Sequence, residues 1–76
     1  MPVMSLRLSE QEFKRLRAVA AEETKEKSSV ARELLMDGLK YKMLLAYREG
    51  KASLSRLSRT LGMSVSEAID FLAAFG

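Results

Sequence analysis

Apolar and polar positions alternate residue by residue in one stretch of this chain, Met4-Ser5-Leu6-Arg7-Leu8-Ser9. Met4, Leu6 and Leu8 would share one face of an extended backbone, with Ser5 and Arg7 on the other, so the pattern predicts a β-strand over residues 4–9. Beyond Ser9 the period becomes helical. Ser9 and Glu12 have capping-box spacing, and Leu8 and Phe13 stand at the hydrophobic-staple positions around that cap. Phe13, Leu16, Val19 and Ala20 then define an apolar stripe that fades near Thr24. After the polar turn Lys25-Glu26-Lys27, Ser28 is the expected cap of a second helix running from Ser29 to about Glu49, with Gly50 as its left-handed stop. Val30, Ala31, Leu34, Leu35, Leu39, Met43, Leu44 and Tyr47 carry its stripe. Gly38 interrupts that helix at up to about 1 kcal/mol relative to alanine; a close helix–helix approach and a tolerated kink would each account for it.

Two shorter helices follow. Ser53 is the expected cap of the first, with Leu54, Leu57 and Leu61 on one face and Gly62 at its end. Ser64 and Glu67 form a second capping box, opening a last helix whose face is Val65, Ala68, Ile69, Leu72 and Phe75. The expected organisation is therefore mainly α: one N-terminal strand, two helices, and two short C-terminal helices, divided into units 1–50 and 51–76.

The strand carries a consequence. A lone strand leaves its backbone donors and acceptors unpaired, and the chain offers no second one, so the strand is expected to pair with another copy. A two-stranded ribbon with Arg and Ser on its outer face fits the major groove of DNA.

Composition narrows the functional classes. At 76 residues the chain is near the size at which one core is marginally stabilising. It has no cysteine and no histidine, which removes disulfide staples, thiolate metal sites and the commonest general base. No nucleophile–base pair or metal cluster is recognisable in the spacing of the remaining Ser, Lys, Asp, Glu and Tyr, so neither an enzyme nor a bound cofactor or metal is expected. The longest apolar runs, Met43–Tyr47 among them, are too short for a membrane span, and the start has no secretory-signal pattern; a cytoplasmic protein is expected. The net charge of +3 comes from 13 basic and 10 acidic residues that are well mixed along the chain. A nucleic-acid argument must therefore rest on where charges sit.

The residues Met4–Ser9, Glu12 and Ser28-Ser29-Val30-Ala31-Arg32-Glu33-Leu34-Leu35 resemble the ribbon-helix-helix family of DNA-binding dimers. In that family two strands pair antiparallel across a two-fold axis and enter the major groove, while the start of the second helix grips phosphate. Tyr47 through Leu54 and Leu61 through Ser64 look like a segment of small prokaryotic and archaeal antitoxin-like proteins, in which a compact helical appendage follows such a unit. The resemblance implies a transcriptional repressor acting on double-stranded DNA as a homodimer, the autoregulating antitoxin of a toxin–antitoxin pair, with a toxin as a further partner of the C-terminal helices.

On that reading Val3, Ser5 and Arg7 face outward as base contacts: Arg7 suits the O6 and N7 of guanine, Ser5 donates or accepts, and Val3 meets a thymine methyl. Arg7 as a solvated charge is the plainer alternative. Lys25, Lys27, Ser28 and Ser29 are the expected phosphate contacts, where cations precede the free N–H groups of a helix start. The last helix carries Glu67 and Asp70 and no Lys, Arg, Asn or Gln, which argues against a second DNA reader there. Its apolar face must dock on the chain itself, on a second copy or on another protein. A helical dimer that binds proteins and no DNA is the competing class.

Overall fold

The computed structural model describes residues 2–75. Four helices follow one another: α1 (Glu10–Glu23), α2 (Lys27–Arg48), α3 (Leu54–Leu61) and α4 (Val65–Phe75). They divide into two compact units, one of residues 1–34 and one of residues 35–76.

The strand expected over residues 4–9 does not form. Among the described residues there is no strand or sheet, so the ribbon-helix-helix fold class is corrected to all-α. Residues 2–9 have no regular secondary structure, and Val3 and Met4 are 92% and 83% exposed. The physical reason lies in what alternation supplies. It sorts side chains onto two faces, but a strand also needs an extended neighbour for its ladder and a core beneath its apolar face. Among the described residues, residues 4–8 have neither. Ser9 spends its backbone N–H on the helix cap instead.

In the first unit, α1 starts as its sequence dictates. The Glu12 N–H donates to Ser9 Oγ (3.1 Å) and the Ser9 N–H to Glu12 Oε1 (2.8 Å). These bonds satisfy two donors that a helix start otherwise leaves bare. At the other end Thr24 adopts the left-handed conformation (φ 56°), its N–H donating to the Ala20 and Ala21 carbonyls. α2 begins two residues before the expected Ser29: the Val30 N–H reaches the Glu26 carbonyl at 3.1 Å, which places Ser28 inside the first turn and not at its cap. Ala20 and Val30 are the buried apolar residues of this unit.

The second unit joins the later part of α2 to α3 and α4 around Leu44, Leu57 and Ala68. α2 runs unbroken through Gly38, where an added Cβ would meet nothing within 4 Å, so no neighbour in the chain requires glycine there. After α2, Gly50 is left-handed (φ 74°), and the Lys51 N–H returns to the Ala46 carbonyl at 2.8 Å. Ser53 Oγ caps α3 by accepting from the Arg56 N–H, and Gly62 (φ 66°) ends it. Ser64 and Glu67 close the second capping box before α4. Ser58, buried within α3, donates its hydroxyl to the Ser55 carbonyl (2.9 Å), so no polar atom there is stranded. Across the unit, Arg48 Nη2 donates to the Phe75 carbonyl at 2.6 Å. A cation thus meets the negative end of α4, where the helix dipole favours it.

Candidate functional site

The sequence-predicted contact residues all belong to the first unit, but they do not form one cluster. Val3, Ser5 and Arg7 lie on the exposed N-terminal segment. Among the described residues, no ion pair involves Arg7 and no backbone hydrogen bond ties residues 2–8 to the rest of the chain. The segment is an arm without regular secondary structure that ends at the capping box of Ser9. Leu6 and Leu8 of this segment line a groove of about 520 Å³ with Ser9, Glu10, Phe13, Lys14 and Arg17.

The expected phosphate set is differently placed. Lys25 Nζ donates to both Glu33 oxygens, at 3.0 and 3.3 Å. That hydrogen bond, and then the Glu33 charge, hold the Lys25 pKa above its ordinary value. Lys25 is therefore a cation already partnered by a carboxylate. Lys27, the first residue of α2, lies 5.3 Å from the centre of the Phe13 ring, and Arg17 lies 5.6 Å from the same ring. Ser28 is exposed and Ser29 half-buried, both in the first turn of α2. Sequence reasoning missed the flanking of Phe13 by Arg17 and Lys27. The spacing Phe13–Arg17, four residues apart on a helix, was the available signal; the approach of Lys27 depends on the tertiary turn.

The carboxylates of both capping boxes are acidified. Glu12 sits below the ordinary carboxylate range because the Ser9 backbone N–H, and then its side chain, bond the charged form. Glu67 is lowered for the same reason by Ser64. These shifts are those of carboxylates that cap helix starts. Among the described residues no group of three His, Cys, Asp or Glu is placed to hold a metal ion, and no helix is long and apolar enough to cross a membrane.

Comparisons with protein-family models, with curated proteins and with solved structures each returned no match to this chain. The functional reading therefore rests on its own residues.

Proposed function

We propose that this chain is a double-stranded DNA-binding transcriptional repressor, an antitoxin of a toxin–antitoxin pair, whose DNA contacts come from the N-terminal arm. One observation carries the reading: residues 2–8 leave Val3, Ser5 and Arg7 exposed and, among the described residues, without an ion pair or backbone hydrogen bond, immediately before a helix start closed by a capping box. A guanidinium is the side chain best suited to the O6 and N7 of guanine or to phosphate. The paired ribbon is no part of this reading. Ser28 and Ser29 at the start of α2, with Lys27 before them, remain the phosphate-holding residues; Lys25 contributes less, because Glu33 already neutralises it. In the second unit α4 presents Glu67 and Asp70 to solvent and suits a protein partner better than DNA.

The test is fluorescence anisotropy with DNA from the gene's own promoter and with scrambled DNA. Arg7→Ala is expected to lose about 1–3 kcal/mol on the promoter sequence and little on the scramble. Deletion of residues 2–8 should remove the preference while far-UV circular dichroism stays helical. Equal affinity of the arm-deleted and intact chains for promoter DNA would sink the proposal.

The competing reading, a helical module that binds proteins alone, is favoured by the apolar side chains left in water on α2, among them Leu34, Leu35, Met36 and Tyr41. It predicts no DNA binding even at low salt, where phosphate contacts are strongest.

A further inference from the structure

Glu10, Phe13, Lys14 and Arg17 stand at positions i, i+3, i+4 and i+7 of α1 and so share one face of it. With Leu6 and Leu8 of the arm, that face forms the groove of about 520 Å³ in the first unit. Its floor is apolar and open to water: Leu6, Leu8 and Phe13 are 61%, 37% and 39% exposed. Its rim is mostly cationic. Lys14 and Arg17 line it, and Lys27 reaches the Phe13 ring from the start of α2. Among the described residues Glu10 is the one carboxylate that lines the groove, and none of the three cations makes an ion pair. The Phe13 ring attracts two of them to its face, with Arg17 at 5.6 Å and Lys27 at 5.3 Å from its centre. Both are thereby held beside the floor with their N–H donors unspent on carboxylates.

Charge and floor together indicate the occupant. Three cations against one carboxylate select an anionic ligand, because complementary charge steers the right partner in and repels the wrong one. A nucleic-acid backbone would answer the cations but leave Leu6, Leu8 and Phe13 in water. A bilayer takes up apolar side chains that project into it, and here they line a recess. A peptide meets both demands, because alternating acidic and apolar side chains fall on opposite faces of an extended chain. We propose that this groove binds an acidic peptide segment of a partner protein, its apolar side chains seated on Leu6, Leu8 and Phe13 and its carboxylates paired with Lys14, Arg17 and Lys27. An apolar centre with charges at the rim is the usual division of labour in an interface.

The groove is separable from the base contacts proposed for the arm: Arg7→Ala leaves every side chain that lines it in place, so the two readings can fail independently. The experiment is fluorescence anisotropy on the full chain with a fluorescein-labelled synthetic peptide that alternates aspartate with leucine and phenylalanine. Saturable binding is expected, and replacing each aspartate of the peptide by asparagine should weaken it about tenfold. Lys14→Glu and Arg17→Glu place a good helix former at an exposed helical position, so helicity should not change. Each should weaken binding of the aspartate peptide about tenfold, since an attraction becomes a repulsion. Leu6→Ser, outside any helix, removes part of the floor and should weaken binding about fivefold. An absence of saturable binding, equal affinity for the asparagine peptide, or variants that bind as the wild type does would each overturn the proposal. So would scrambled double-stranded DNA or phosphatidylglycerol vesicles that bind the wild type and lose affinity in all three variants while the peptide does not bind.

Discussion

Both units end their leading short helix with the same backbone device and give it different residues. α1 closes on Thr24 at φ 56°, and α3 closes on Gly62 at φ 66°. Each cap N–H returns to two carbonyls of the preceding turn. Glycine takes that conformation without a steric penalty, whereas a β-branched residue there is strained by contact of its Cβ with the backbone. The same contrast runs through the interiors. The second unit buries Leu57 completely, with Leu44 and Ala68 also in its core, while the first buries Val30 and Ala20 and leans on exposed polar contacts at its turn. The second unit is the better-built scaffold, and the first tolerates strain at the end of α1 away from the arm.

The sharpest way to break that comparison is to empty each core. Leu57→Ala is expected to cost about 2–5 kcal/mol, because a fully buried leucine leaves a cavity as well as lost burial. Val30→Ala should cost about 2 kcal/mol, two methyl groups with a smaller void. Amide hydrogen exchange should localise the first loss to α3 and α4 and the second to α1 and the start of α2. Equal losses, or losses spread over the whole chain, would mean that the two units fold as one.

The caps give the next largest effect. Gly62→Thr should destabilise by about 1–2 kcal/mol, the penalty for a left-handed L-residue. Thr24→Gly should gain about 1 kcal/mol less the extra flexibility of glycine in the unfolded chain. Urea midpoints of the two variants, moving in opposite directions, would confirm that one cap is strained and the other relaxed.

How much of this was legible beforehand differed by element. Every helix was, because each has a local signal: Ser9 with Glu12, Ser53, and Ser64 with Glu67 as caps, Gly50 and Gly62 as stops, and an apolar stripe between. Such signals act within four residues and need nothing distant. The strand was misjudged because alternation over Met4–Leu8 is only half of what a strand needs, and the missing half is non-local. The start of α2 slipped by two residues because Glu26, whose carbonyl takes the first helical bond, lacks the look of a cap. At the candidate site, Val3, Ser5 and Arg7 are exposed together with Met4 and Leu6, so their exposure belongs to the whole segment and not to the outer strand face that alternation assigned them. The engagement of Lys25 by Glu33, eight residues away across a turn, had no sequence period to betray it.

The capping boxes sharpen the comparison through pH. Glu12 and Glu67 are both more acidic in the folded chain than the ordinary value of 4.5. Each box therefore contributes stability that is present above the unfolded carboxylate pKa and is lost as pH falls through the folded one. Thermal stability should be level from neutral pH to about 5 and fall below about 4.5. Ser9→Ala and Ser64→Ala should each cost about 1 kcal/mol at pH 7 and less in acid. If only one variant loses its effect in acid, the boxes are not equivalent.

The smallest effect is expected at the Lys25–Glu33 pair, where both side chains are about half exposed. Exposed pairs gain little net stability, because water and side-chain entropy offset their attraction. Lys25→Ala should leave the thermal midpoint at pH 7 unchanged within error. The raised Lys25 pKa adds that whatever the pair contributes is present below the ordinary lysine value and lost as pH rises through the folded one. On the proposed DNA-binding reading, affinity for DNA is the more telling measurement. Neutralised by Glu33, Lys25 should matter little to any sequence, whereas Glu33→Gln should free it, tighten binding to all DNA alike and steepen the salt dependence by close to one phosphate contact. An unchanged slope in Glu33→Gln would place the DNA surface away from the α1–α2 turn and leave the arm to act alone.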